Sequence, residues 1–264
     1  MTIEHQPPAA GTNAAFFDLD RTLITGSSAF ALGVAAWRAD LLPTRQLALD
    51  ALAALRFAFS GASDDTSHAL RDRILGAVQH IRLDDLVALN ADIVPRLLAR
   101  VRPEAMRLIE QHRAAGRSTY IVSASPVELV EPLAKALGMT AGIGTRSEIV
   151  DGRYTGQLVG PFCYGDGKVT AITELAGWEG FDLDKCYAYS DSASDLPMMS
   201  AVGHPVAVNP DGALERHARQ HGWPVVEFHE TTRAVARITT QAAAALALLA
   251  VGFLLGRHKG VRPS

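Results

Sequence analysis

Asp18 and Asp20 stand one residue apart at the end of an apolar run, within the stretch AAFFDLDRTLITGSS over residues 14–28. Period-two alternation puts both on one side of a strand or at its tip, where like charges a few ångströms apart repel unless a cation offsets them. Thr22 adds a hydroxyl to the same loop. Further along, Ser123 closes the run STYIVS, Lys168 follows GDG at a helix start, and Asp191 and Asp195 lie four residues apart in YSDSASDLP. Transfer of a phosphoryl group to a carboxylate needs a nucleophilic carboxylate, a divalent cation, donors for the phosphoryl oxygens and an acid for the leaving oxygen. These residue types supply each of them. Oxygen ligands of this hard kind suit magnesium.

Seven residues so far apart can act together only if the fold gathers them. Apolar runs alternate with helical patterns, which predicts an α/β fold interrupted by an all-helical segment. AAFFDL reads as a buried strand. Between residue 29 and about residue 115 no strand is evident, and amphipathic helices are expected over residues 29–40, 44–59, 64–79 and 83–100. Another helix, 103–115, opens on Pro103 and stops at Gly116. Strands return with STYIVSAS at 118–125, followed by a helix through Leu137. GTRSEIVDGRYTGQLVG reads as a hairpin turning at Asp151 and Gly152. A helix over roughly 167–177, the strands KCYAYSDS, HPVAV and WPVVEF, and a short helix after KCYAYSDS complete the pattern. Strands that end at Asp18, Ser123 and Asp191 each run into a loop and then a helix. In an open parallel sheet, ligands bind beyond such carboxyl ends.

Composition bounds the partners. A chain of 264 residues with a formal net charge of -3 gives no case for binding nucleic acid, which would call for a basic face. Its two cysteines, Cys163 and Cys186, form neither a disulfide framework nor a zinc pair, which points to a cytoplasmic catalytic domain. Residues 1–13 read as a disordered lead-in. Residues 231–264 read as a hydrophobic tail in which 238–256 carry no charge over 19 residues, flanked by arginines and a lysine. At about 1.5 Å per residue such a helix nearly spans a hydrocarbon core of roughly 30 Å, so membrane contact through 238–256 is one expectation; packing on protein is the other.

The motifs resemble those of the haloacid dehalogenase (HAD) superfamily, and within it subfamily IB, the phosphoserine phosphatase-like branch. DLDRT matches the first motif, Asp-x-Asp-x-Thr; IVSAS matches the serine of the second; Lys168 matches the third; and SDSASD matches the fourth, usually written with Gly where Ser190 stands. The order is that of the family, and the resemblance spans residues 14–228. It implies a Rossmann-like parallel-sheet core over 14–28 and 103–230, an inserted helical cap over 29–102 and a flap hairpin near Asp151. It implies that Asp18 attacks phosphorus to form an aspartyl-phosphate, and that Asp20 protonates the departing alkoxide and then takes a proton from the hydrolytic water. Magnesium would be held by a carboxylate oxygen of Asp18, the backbone carbonyl of Asp20, and Asp191, with Asp195 orienting its water shell. Ser123 and the amides of Leu19 and Ala124 would hold the phosphoryl oxygens, and Lys168 would neutralise charge between phosphate and Asp18.

Within the superfamily the resemblance favours a phosphomonoester phosphatase, because a dehalogenase has no alkoxide for Asp20 to protonate. Phosphoserine phosphatases of this branch carry a glutamate nine residues after the nucleophile, where this chain has Ser27. That demotes phosphoserine among small phosphorylated metabolites and leaves lipid-derived phosphates in competition. The rival reading is a non-catalytic, membrane-tethered binding or regulatory protein on the same fold. Taken singly, the acids could be helix caps and Lys168 a solvated lysine; their joint order argues for turnover.

Overall fold

The computed structural model describes residues 13–42, 72, 75–76 and 78–228. The lead-in over 1–12, the predicted helix 44–59, most of 64–79 and the tail from 229 onward lie outside the described residues. The chain divides into a compact unit, Met1–Val226, and a second, Glu227–Ser264, of which only the first two residues are described. Among the described residues no helix is long and apolar enough to cross a membrane; residues 238–256 fall outside them.

Strand β1 (Ala14–Asp18) is buried along its whole length, as its unbroken apolar run requires. Helix α1 (Ser28–Arg38) follows β1, and α2 (Leu83–Ala88) and α3 (Asn90–Leu98) are the next described helices. After them come α4 (Pro103–Ala114), β2 (Ser118–Pro126), α5 (Val127–Ala136) and β3 (Ala141–Thr145). Then come the hairpin strands β4 (Ser147–Val150) and β5 (Arg153–Leu158), and α6 (Asp166–Glu179). The chain continues through β6 (Tyr187–Ser190), α7 (Leu196–Ser200), β7 (His204–Val208), α8 (Gly212–His221) and β8 (Val225–Val226). The main sheet has the order β3-β2-β1-β6-β7-β8, with every neighbouring pair parallel.

Alternation along β1 builds both faces of this sheet. Phe16 packs with Tyr120, Val122 and Ala188 against Ile172 and Ala176 of α6 and Leu214 and Ala218 of α8. Phe17 points the other way, stacking on Tyr189 at 4.6 Å and meeting His112 of α4 edge-on at 5.9 Å. His112 Nε2 and the Tyr189 hydroxyl share a 2.8 Å hydrogen bond, and burial pushes the imidazole pKa down to about 4, with Arg117 adding repulsion.

The hairpin turns where its sequence says it should. Asp151 and Gly152 both have positive φ, 50° and 73°, the pairing that matches strand twist in a two-residue turn. Three readings need correction. The stretch 83–100 is two helices, because Leu89 donates to the Leu86 carbonyl and tightens a turn between them. β3 escapes a pattern search because AGIGT lacks a branched run; its Gly142 is required where a Cβ would stand 2.6 Å from the Val130 carbonyl. α8 was also not anticipated, although Asp211 caps it by accepting from the amides of Ala213 and Leu214.

Candidate active site

The register of three adjacent strands places the motif residues side by side. Asp18 ends β1 opposite Val122, so Ser123 follows on β2 one step further, while Asp191 follows the last residue of β6 on the other flank. After Asp18 the chain folds back at once: Leu23 and Ile24 both donate to the Leu19 carbonyl, at 3.0 and 3.1 Å, and Arg21 takes a positive φ of 64°. The Arg102 amide donates to the Leu23 carbonyl at 2.9 Å, tying this loop to the start of α4.

Lys168 reaches the site from the first turn of α6. That turn can come close only because residue 167 is glycine; a Cβ there would stand 1.8 Å from the Phe162 carbonyl. The Lys168 ammonium, 3% exposed, lies 2.6 Å from Asp18 Oδ1 and 2.8 Å from Asp195 Oδ2. Burial works against its charge, but Asp18 and Asp195 outweigh burial and its pKa rises. Burial pushes the Asp18 carboxyl up to about 8 despite Lys168, with Asp195 and Asp191 adding repulsion. Asp191 is pushed up to about 6, first by burial and then by Asp195, against the pull of Arg21.

Arg21 Nε meets Asp191 Oδ2 at 2.8 Å, and the buried Thr22 hydroxyl donates to Asp191 Oδ1 at 3.4 Å. The departure in the fourth motif has a role of its own. Ser190 donates to Asp195 Oδ2 at 2.6 Å and accepts from the Ser192 amide at 3.2 Å, fixing the carboxylate beside Lys168. Asp211 braces the same loop from α8, accepting from the Ala193 amide at 2.9 Å while its own amide donates to the Asp191 carbonyl at 2.7 Å.

The paired aspartates part company. Asp18 faces Lys168, whereas Asp20 turns toward the start of α1, where its carboxylate accepts from the Ser28 amide at 2.8 Å and from the Ser27 hydroxyl at 3.3 Å. Burial raises the Asp20 pKa, and the bonds from Ser28 and Ser27 oppose that rise. Ser27 also caps α1, accepting from the Phe30 amide. Leu19 and Ala124 each follow a motif residue directly, and the Ala124 carbonyl accepts from the Thr145 hydroxyl at 2.8 Å.

A dication suits this donor set. Asp18, Asp191 and Asp195 are buried together, and Asp195 Oδ1 is buried without a hydrogen-bond partner. Three acids against one ammonium and one exposed guanidinium leave an excess of hard anionic oxygen. Among the described residues no three His, Cys, Asp or Glu side chains are arranged to hold a metal by themselves. A cation here would draw on two carboxylates, main-chain oxygen and solvent. Pattern reading missed Ser28, Ser125, Ser190, Arg21 and Asp211, which act through contacts between distant segments. Two of them carried a signal: Asp211, an aspartate two residues before the run ALERHARQ, and Ser190, the departure from the fourth motif.

The sequence profile of the family described as haloacid dehalogenase-like hydrolase matches residues 15–200, and the chain belongs to that family. A probable phosphatase of Mycobacterium tuberculosis is 42% identical over 248 residues, 92% of this chain and 84% of the relative. A phosphoserine phosphatase of the same organism is 38% identical over 245 residues, covering 92% and 79%. A histidinol-phosphatase of Neisseria meningitidis is 31% identical over 221 residues, covering 82% and 99%. Among solved structures, a Bordetella pertussis protein of unknown function superposes with a TM-score of 0.72 at 26% identity, over 83% of this chain and 100% of that one. A phosphoserine phosphatase trapped as a phospho-aspartyl intermediate analogue superposes with a TM-score of 0.61 at 18% identity, over 86% and 99%, a likeness of fold. The chain is an HAD-type phosphatase.

Proposed function

We propose that the chain hydrolyses small phosphomonoesters through an aspartyl-phosphate on Asp18. The observation that carries this reading is Lys168 seated between Asp18 and Asp195, with Asp191 alongside, at the mouth of three parallel strands. An Asp18 oxygen attacks phosphorus in line, and the bond from phosphorus to the substrate oxygen breaks. Asp20 gives its proton to the departing alkoxide; its raised pKa suits an acid that must hold a proton until that moment. Asp20 then takes a proton from water, whose oxygen attacks phosphorus, and Asp18 leaves as carboxylate with release of phosphate. Lys168, Ser123 and the amides of Leu19 and Ala124 hold the phosphoryl oxygens. Magnesium, held by Asp18, the Asp20 carbonyl and Asp191 with Asp195 behind its waters, would neutralise the charge gathered between nucleophile and phosphate.

The alcohol carried by the phosphate is the less determined half. The relatives' names point to phosphorylated amino acids and amino alcohols, and similarity to them supports a small polar substrate. Ser27, bonded to Asp20 and capping α1, brings no charge to meet an ammonium, so phosphoserine ranks behind other phosphorylated alcohols. The test is phosphate release across a panel that includes phosphoserine, histidinol phosphate, glycerol phosphates and an aryl phosphate, with and without magnesium. Wild type should require the cation, and Asp18→Asn should release no phosphate while keeping its fold. Activity retained by Asp18→Asn sinks the mechanism; phosphoserine preferred by a wide margin in kcat/KM sinks the ranking.

A further inference from the structure

The phosphatase reading treats Asp20 as the acid but leaves open what aims it, and the contacts around Asp20 supply a candidate answer. Asp20 stands in a loop, and the partners of its carboxylate belong to the start of α1: the Ser28 amide at 2.8 Å and the Ser27 hydroxyl at 3.3 Å. Ser28 is fully buried, and its hydroxyl shares a 2.7 Å hydrogen bond with the hydroxyl of Ser125 on β2, itself 5% exposed. The Ser125 amide in turn donates to Ser123 Oγ at 3.2 Å. Four residues from two distant stretches, 20–28 and 123–125, thus form one line: the acid, the start of α1, and two residues at the end of β2, the end assigned to phosphate.

We propose that Ser28 and Ser125 are positioning residues that set the distance and direction of Asp20 relative to the phosphate-holding end of β2, an inference that rests on the phosphatase reading above. Two buried hydroxyls facing one another satisfy each other only at hydrogen-bond distance, so the pair holds β2 and the first turn of α1 at a single separation. A purely apolar contact would hold the same elements with more slack. That tolerance matters at Asp20, because a proton must be handed to the leaving oxygen within hydrogen-bond reach, and a shift near 1 Å in such a group costs heavily in rate. The arrangement also means that the acid is held by the start of α1 as well as by its own loop. A displacement of α1 therefore moves Asp20 without moving Asp18 or Lys168.

A merely structural role and a positioning role differ in how they depend on the leaving group. p-Nitrophenolate departs without a proton, whereas an alkoxide needs one. Full-length wild type, Ser28→Ala, Ser125→Ala and the double variant are compared on p-nitrophenyl phosphate and n-propyl phosphate under saturating magnesium. Ser28→Thr and Ser125→Thr, which keep the hydroxyl, serve as rescue variants. The alanine variants should lose at least about tenfold in kcat on the propyl ester and less than about threefold on the aryl ester, with KM little changed. The threonine variants should restore most of the difference, and the double variant should lose little more than the worse single one. Equal losses on both esters, or none on either, overturn the positioning role and leave the phosphatase reading intact. Wild type inert toward both esters overturns both. Where an alanine variant fails to fold, Ser→Cys against Ser→Thr at the same site gives the same comparison, and an unchanged ester ratio there again overturns the proposal.

Discussion

At the scale of single residues the site is a problem of charge. Asp18 and Asp195 both rest on one ammonium, with distances of 2.6 and 2.8 Å and almost no solvent around them. Removing one partner from such a buried group costs about 3–5 kcal/mol, because it strands the remaining charges rather than deleting a favourable contact alone. Lys168→Met keeps the length of the chain and discards the charge. Its unfolding free energy, measured by urea titration without divalent cations at pH 9, above the Asp18 value of about 8, should fall by roughly that amount. A loss under about 1 kcal/mol would mean that the acids do not depend on Lys168 in the folded state. Ser190 teaches the complementary lesson. Its hydroxyl holds Asp195 toward Lys168, so a departure from the family pattern contributes to the geometry rather than eroding it.

At the scale of elements, each face of the sheet has a different covering and a different sensitivity. α6 delivers Lys168 and packs on the Phe16 side; α4 covers the Phe17 side with His112 against Phe17, Tyr187 and Tyr189. The folded imidazole has its pKa pushed down to about 4 from 6.5, so the unfolded chain takes up a proton in that window while the folded chain does not. The contribution of the neutral ring is fully present above pH 6.5 and is lost as the pH falls toward 4. His112→Gln keeps a partner for the Tyr189 hydroxyl and removes the titration. The stability advantage of wild type over this variant should shrink by roughly 3 kcal/mol between pH 7 and pH 4. A difference that stays constant across the range would show that His112 does not titrate on unfolding.

At the scale of the whole molecule, the clustered acids couple global stability to pH and to cations. Asp18 and Asp191, raised from 3.8 to about 8 and about 6, stay protonated in the folded chain to higher pH than in the unfolded one. Without divalent cations their contribution is therefore most favourable at low pH and declines as the pH climbs through 4 to 8, opposite in sign to that of His112. Magnesium bound at these acids would compete with those protons and would bind only the folded site, so it should raise Tm more at pH 8 than at pH 5. Thermal melts in EDTA and in excess magnesium at the two pH values test this. An equal or larger effect at pH 5 would place the bound cation elsewhere.

Much of the chemistry could be read in one dimension. DLDRT, Ser123, Lys168 and SDSASD are short, ordered motifs whose residue types already imply phosphoryl transfer, and β1, β2 and the Asp151-Gly152 turn follow from apolar runs and turn chemistry that are local by nature. The glycine-rich β3 was not legible, since what makes AGIGT a strand is its close fit against Val130 and β2. Nor was the separation of Asp20 from Asp18, because alternation along a strand says nothing about the loop beyond it, where Arg21 reverses the backbone. The residue types and their order came from the sequence alone. Which carboxylate meets Lys168, which one caps a helix, and how Ser28 comes to touch Ser125 across 97 residues were decided only by folding, because charge and hydrogen bonds act over ångströms in space and not along the chain.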